Sequence, residues 1–121
     1  MYKIIFYHDK NGYEPVNAYI EGLSARKDKD SRIKRNKIRE CIRALQEYGT
    51  RAGEPYMKHL EGEIWELRPL RDRILFAAWV GDSFVILHHF VKKTQKTPQR
   101  EIDKAIRELE DFRRRKLHNG V

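Results

Sequence analysis

The sequence predicts an α+β domain, in which a small, mostly antiparallel sheet carries helices packed on one face. Three segments place apolar residues at the i, i+3, i+4, i+7 spacing of a helical face. Four short runs are rich in β-branched and aromatic residues, as strands are. Their order is strand, two helices, three strands and helix, and such segregation is typical of an α+β fold. The second sheet face would then be the working surface.

The first strand is predicted over residues 2–8, where aromatic and apolar residues precede the turn-forming stretch Asp9–Gly12. A short helix follows. Pro15 suits its first turn, because proline lacks the N–H that a helix start leaves unpaired. Its apolar face consists of Val16, Tyr19, Ile20 and Leu23.

The second helix is predicted from about Ser31 to Gly49, a glycine in the usual position after a helix end. Its apolar stripe consists of Ile38, Cys41, Ile42, Leu45 and Tyr48. Cys41, the single cysteine, is interpreted as a small buried apolar residue and not a nucleophile. A lone cysteine also excludes an internal disulfide.

Three further strands are predicted over Ile64–Arg68, Arg73–Val80 and Ser83–Val91, forming an antiparallel meander. Gly81-Asp82 is a tight-hairpin signal between the last two. The last strand is apolar on both faces, so we expect it to be central. The final helix is predicted to start with Thr97 as its N-cap and Pro98 at its first position. Its apolar stripe consists of Ile102, Ala105, Ile106, Leu109 and Phe112.

The 121 residues fit one domain spanning 1–121, because two halves would each lack a core. The net charge is +8, from 26 basic and 18 acidic residues. Such an excess favours a nucleic-acid partner, since clustered Lys and Arg displace its counterions. No apolar stretch approaches the roughly 20 residues that span a bilayer, and the N-terminus lacks a signal-peptide core. We therefore expect a cytoplasmic protein without a membrane partner.

Several kinds of chemistry have no motif in this sequence. It contains neither a Gly-rich phosphate loop nor Gly-x-Gly-x-x-Gly, so we expect no nucleotide cofactor. We also expect no metal, because acidic residues are scattered among basic ones. His88 and His89 are neighbours on a strand and should point to opposite faces. We interpret His88 as packed and hydrogen-bonded, while His89 and His59 are candidates for proton transfer.

Basic residues cluster at the ends of the predicted strands. Trp65 and Leu67 are the natural core pair of their strand, so Arg68 and Glu66 should face the other side. Arg73 begins the next strand across the turn, which places two guanidinium groups near each other. Arginine presents paired donors that match phosphate oxygens, and lysine adds point charge. The lysines of this predicted phosphate site are Lys58, Lys92, Lys93 and Lys96.

The basic face of the second helix, which includes Arg35 and Arg39, is either an RNA-facing stripe or a solvated surface. The few acidic residues on it favour the RNA-facing interpretation. The candidate recognition helices carry core stripes, and no compact helix-turn-helix lies outside the sheet region, so a DNA-binding regulator is disfavoured.

The segment Lys58–Phe76 resembles the RelE/HigB group of bacterial toxins, in particular its phage-derived HigB-like branch. The blocks that carry the resemblance are Glu-Leu-Arg ending at Arg68, Arg-Ile-Leu-Phe starting at Arg73, and Phe-Val-Lys-Lys-Thr at 90–94. The resemblance covers about residues 57–112 well, and the preceding half only by element order. It implies a RelE-like fold.

The resemblance also implies an activity and a partner. RelE/HigB toxins are mRNA interferases, metal-independent endoribonucleases that cut messages on the ribosome and so inhibit translation. In the HigB-like branch a HigA-like helix-turn-helix antitoxin binds the toxin in a hetero-oligomer. Carried over by motif, the phosphate-binding arginines are Arg68 and Arg73, and the basic residue after the last strand is Lys93, or Lys92 if the register slips by one.

The sequence departs from the RelE pattern at two places. Glu66 stands where those toxins carry a lysine, and residues 92–100 contain no tyrosine. The expected catalytic set is therefore Arg68 and Arg73 for charge stabilisation, with Lys93, Lys58, His89 or Glu66 moving protons. Glu66 could equally be a structural partner of Arg68. The alternative function is a basic RNA- or ribosome-binding module that does not cut.

Overall fold

The computed structural model describes residues 1–118. These residues form five strands, three α-helices and one short 3-10 helix, at Gly49–Ala52. In chain order the elements are β1 (Lys3–Phe6), α1 (Pro15–Ala25), α2 (Lys29–Tyr48), β2 (Met57–Glu61), β3 (Ile64–Leu67), β4 (Asp72–Trp79), β5 (Ser83–Val91) and α3 (Gln99–His118). The predicted α+β class is confirmed.

The strands form one sheet in the order β1-β5-β4-β3-β2. β1 runs parallel to β5, and the other neighbours are antiparallel, so the predicted meander is confirmed. β5 lies inside the sheet, as its apolar character on both faces predicts. β2 is a strand that the sequence did not predict. It pairs with β3 through Lys58 opposite Glu66, and Gly62 takes a positive φ in the turn between them.

The helices do not share one face of the sheet, so that part of the sequence prediction is wrong. α1 and α2 cover the face that carries Ile74, Phe76 and Ile86. α3 covers the opposite face, where the alternate residues Leu75 and Leu87 meet Ala105, Leu109 and Phe112. The physical reason is the composition of β4 and β5. Strands that are apolar on both faces need a helix layer on each side to exclude water.

The helix ends follow from local chemistry. α2 begins two residues before the predicted Ser31, because the Asp28 side chain accepts a hydrogen bond from the Ser31 N–H. Gly49 ends α2 as predicted, with φ 62°, and an added Cβ would lie 3.0 Å from the Tyr2 ring. No helix within residues 1–118 combines the length and apolarity that crossing a membrane requires.

A β-bulge in β5 changes which face its last residues present. Leu75 lies opposite His88, but the next residue, Phe76, lies opposite Ile86, so Leu87 is the extra residue. Without the bulge, His88 would share the face of Phe84 and Ile86, as strand alternation predicts. With it, His88 turns to the α3 side. The two faces of the sheet are therefore assigned differently on either side of Leu87.

Candidate functional site

Arg68 and Arg73 converge on one carboxylate. The Nε atoms of Arg68 and Arg73 lie 3.5 and 3.8 Å from the same oxygen, Oε2 of Glu66. The pairing Glu66–Leu75 places Glu66 on the α3 side of the sheet, and Arg73 shares that side because it is two residues from Leu75. The sequence-predicted juxtaposition of the two arginines across the β3–β4 turn is therefore present.

Arg73 is held rigidly. Its side chain is only 7% exposed, and Nη1 donates to the backbone oxygens of Leu70 and Asp72 at 2.9 and 2.8 Å. Burial lowers the pKa of this guanidinium, although the Glu66 carboxylate acts in the opposite direction. Arg73 was expected on an open surface, whereas it lies in the floor of a cleft. Within residues 1–118 its hydrogen bonds use Nη1 alone, so Nη2 remains available to a ligand.

Arg68 is more accessible, with 25% of its side chain exposed. Its Nη1 donates to Oε1 of Glu54 at 2.9 Å, and this carboxylate lies in the loop ahead of β2. Glu54 was not predicted to belong to the site, since no periodicity or motif relates a loop acid to a residue fourteen positions later. Arg68 therefore lies between a buried acid, Glu66, and an exposed one.

A cleft of about 320 Å³ surrounds these groups at the N-terminal end of α3. Its cationic side chains are Lys58, Arg68, Arg73, Lys92 and Lys96, and its acidic ones are Glu61 and Glu66. Thr97 closes one wall, because its hydroxyl donates to Oε1 of Glu66 at 2.6 Å. The prediction that Thr97 caps α3 is wrong, because α3 begins at Gln99 and its first turn is bonded to the oxygen of Pro98, which accepts from the Ile102 N–H at 3.4 Å.

The two lysines after β5 go to different places. Lys92 lines both the cleft beside Arg68 and Arg73 and an adjoining one, whereas Lys93 lines the adjoining cleft and not the Arg68 cleft. Strand alternation explains the difference, because Lys92 is two residues from Phe90, which lies opposite Arg73. The sequence leaves open whether Lys93 or Lys92 is the basic residue that follows the last strand at the site. In the structure Lys92 is the one that lines the Arg68 cleft.

The two histidines of β5 lie on opposite faces, as predicted. His88 is buried under α3 and bonds both ring nitrogens to carboxylates, Nδ1 to Glu108 at 2.6 Å and Nε2 to Glu101 at 3.0 Å. His89 faces α1 and stacks on Tyr19, with ring centroids 3.7 Å apart. Burial lowers the pKa of His89. The structure therefore does not bring His89 to the arginines.

The remaining candidates lie away from the arginines. Arg35 and Arg39 lie on α2, across the sheet from the cleft, where Arg39 is exposed and Arg35 half-buried. His59 lies at the rim of the cleft, but its ring packs against Trp65 and its Nε2 donates to the Gly62 oxygen at 2.7 Å. Among residues 1–118, no group of three or more His, Cys, Asp or Glu side chains is placed to hold a metal ion.

The chemistry of this arrangement is electrostatic. Two guanidinium groups fixed around one acid leave a net positive charge, and the neighbouring lysines increase it. Preorganised donors of this kind stabilise an anion at no cost of rearrangement when charge develops on it. A tetrahedral oxyanion, such as a phosphodiester, fits donors that come from several directions. The cleft is thus suited to bind a phosphate group.

The fold and the cleft define a small α+β protein with a cationic cleft beside the first turn of a helix. The family model described as "Phage derived protein Gp49-like (DUF891)" matches residues 23–110. The protein therefore belongs to the Gp49-like family, a toxin-like family of the RelE type. The match begins in α1, well before the first residue of the RelE resemblance, and it ends in α3. No curated protein gives a significant match to the sequence.

Proposed function

We propose that this protein is a HigB-like mRNA interferase, the toxin of a toxin–antitoxin pair, which cuts messenger RNA on the ribosome. The observation that carries the proposal is the convergence of Arg68 and Arg73 on Oε2 of Glu66 inside a cationic cleft. Membership of a RelE-type family supports it, as does the net charge of +8. The HigB-like assignment rests on the motif blocks around these two arginines.

The proposed reaction uses the RNA's own 2′-oxygen. A base removes the 2′-hydroxyl proton, the oxygen attacks the adjacent phosphorus, and the bond from phosphorus to the 5′-oxygen breaks. The departing 5′-oxygen takes up a proton, which leaves a 2′,3′-cyclic phosphate and a 5′-hydroxyl end. Negative charge grows on the non-bridging oxygens in the transition state. Arg68 and Arg73 would stabilise that charge without a metal ion.

The proton-transfer roles fall to side chains that line the cleft. Lys58 and Lys92 are the candidates, because both line the same cleft as the arginines. Glu66 is less suited to act as a base, since its oxygens already accept the Thr97 hydroxyl and pair with two guanidinium groups. We assign Glu66 to orienting the arginines. Lys93 and His89, which were expected to be catalytic, lie outside this cleft.

The partner we propose is a HigA-like helix-turn-helix antitoxin encoded alongside the toxin. It would neutralise the toxin in a hetero-oligomer. The second candidate function is a non-cutting RNA- or ribosome-binding module, which the basic α2 face favours. That face carries Arg32, Arg35, Arg39 and Arg43 at helical spacing.

The experiment that separates the two functions uses translating ribosomes. Purified protein is incubated with them, and new mRNA 5′ ends are mapped. The interferase should create 5′-hydroxyl ends within codons on the ribosome. A binding module would inhibit translation and leave the message intact. Intact messages at full translational inhibition would overturn the proposed activity.

A further inference from the structure

A second cleft, of about 400 Å³, adjoins the first. Arg73, Lys92 and Gln95 line both clefts. The second cleft adds Arg71 and Lys93, which both lie in connections that flank Arg73. Because the shared residue is the buried, backbone-tethered arginine, the two clefts are held in a fixed relation to each other.

The charged side chains that line the second cleft are all basic. Its charged lining consists of Arg71, Arg73, Lys92 and Lys93, with no acidic side chain. None of the ion pairs found within residues 1–118 involves Arg71, Lys92 or Lys93. The first cleft differs, since Glu54 and Glu66 engage its arginines. Cations without acidic partners bind an anion with no competing carboxylate to displace.

The backbone keeps the walls of this cleft together. The Lys92 N–H donates to the Arg71 oxygen at 2.7 Å, which ties the segment after β5 to the β3–β4 turn. Arg73 Nη1 bonds the Leu70 oxygen from below. The two segments that supply the cations are therefore joined by hydrogen bonds on both sides of the turn. Such a cleft is preformed, which lowers the entropic cost of binding.

Leu70 lines the same cleft and has an unusual backbone conformation. Its φ of 56° is in the left-handed region, which β- and γ-branched side chains seldom occupy, and 51% of the residue is exposed. A left-handed backbone at a leucine costs free energy, and such positions cluster at ligand-binding sites. The exposed Leu70 side chain thus offers an apolar surface beside cations, which suits a ligand with an apolar part next to an anionic one. A nucleotide has that composition.

We propose that the second cleft binds the phosphodiester next to the one held by Arg68 and Arg73. Arg71 and Lys93 hold this second phosphate, and Leu70 contacts the ribose or base beside it. The inference rests on the proposed function, because it takes RNA as the ligand of the first cleft. It adds that the smallest complete ligand is a single-stranded trinucleotide. Arg73 and Lys92, between the clefts, contact both phosphates.

The test is a binding measurement that needs no cleavage. A 2′-O-methyl dinucleotide and a 2′-O-methyl trinucleotide, both without terminal phosphates, are titrated into the protein at low salt and followed by NMR. The variants are Arg71→Ala and Leu70→Gly. Glycine accepts the left-handed backbone of position 70, so Leu70→Gly should fold at least as well as the parent. Lys10→Ala is the charge-matched control, because Asp9 beside it contacts Arg115 near the other end of α3.

The parent should bind the trinucleotide about tenfold more tightly than the dinucleotide, since a second charged contact is added. Arg71→Ala and Leu70→Gly should each reduce that ratio, whereas Lys10→Ala should preserve it. Equal affinity of the parent for both ligands would overturn the proposal that the second cleft binds a phosphate. In that case, dinucleotide binding that is lost in Arg73→Ala would still support the proposed function of the first cleft. An equal loss in Arg71→Ala and Lys10→Ala would also overturn the proposal for the second cleft. No binding of either ligand would count against both proposals.

Discussion

Thr97 donates a hydrogen bond of 2.6 Å to Oε1 of Glu66, although 31 residues separate them. This bond joins the residue that leads into α3 to the strand that carries Arg68. It leaves Oε2 of Glu66 to the two guanidinium groups, at 3.5 and 3.8 Å. Glu66 is thereby held by Thr97 through one carboxylate oxygen and paired with both arginines through the other.

Glu66→Gln should destabilise the fold while keeping its shape. Glutamine preserves the volume, but the buried Arg73 guanidinium loses its acidic partner. We expect the free energy of unfolding to fall by roughly 1–3 kcal/mol, the cost of leaving a buried charged group poorly satisfied. Urea denaturation measures it, with Glu110→Gln on the exposed face of α3 as the control. A variant as stable as the parent would show that Glu66 does not compensate Arg73.

Glu54→Gln should strengthen phosphate binding. The exposed Glu54 carboxylate accepts a hydrogen bond from Arg68 Nη1 and so competes with a bound anion. Removing its charge should raise the affinity for a 2′-O-methyl dinucleotide by up to about fivefold, given the modest strength of exposed ion pairs. Glu47→Gln, another exposed acid at the end of α2, should have no such effect. Weaker binding by Glu54→Gln would mean that this acid positions Arg68 instead.

His89 should make the fold less stable in mild acid. Burial lowers its pKa below the ordinary 6.5, so between these two values the unfolded chain holds a proton that the folded chain does not. The unfolded state therefore gains stability as the pH falls below about 6.5. Replacing His89 by Gln should flatten the dependence of the melting temperature on pH from about 7 to 5. An unchanged slope in His89→Gln would contradict this assignment.

Cys41 should resist alkylation in the folded protein. Its side chain is in the core between α2 and the sheet, and burial raises the pKa of the thiol to about 11. Both the low thiolate fraction and the lack of access slow the reaction. At pH 8, iodoacetamide should leave the native protein unmodified within an hour and modify it fully in guanidinium chloride. Rapid native modification would show that α2 opens readily.

Much of the architecture could be predicted from the sequence because its signals are local. Helical spacing located α1, α2 and α3, and alternation with turn residues located β3, β4 and β5. β2 has no such signal, because Met57–Glu61 mixes charged, apolar and histidine residues without alternation. The second helical layer could have been predicted, because β5 is apolar on both faces and such a strand requires cover on both sides.

The site was less predictable because it depends on contacts between distant residues. The nearness of Arg68 and Arg73 follows from a short turn, and the sequence predicted it. The burial of Arg73, the acid at Glu54 and the bond from Thr97 to Glu66 depend on how loops fold back, which no local pattern encodes. The bulge at Leu87 likewise reassigns the face of His88 through one extra residue.

The measurement that tests the central claim most directly is growth inhibition by arginine variants expressed in bacteria. Arg68→Ala and Arg73→Ala, each checked for folding by circular dichroism, should relieve the inhibition, whereas Lys10→Ala should remain as toxic as the parent. Loss of toxicity in both folded arginine variants is the result expected if the pair grips one phosphate. Undiminished toxicity in both would contradict the account and remove the cleft as the site of action.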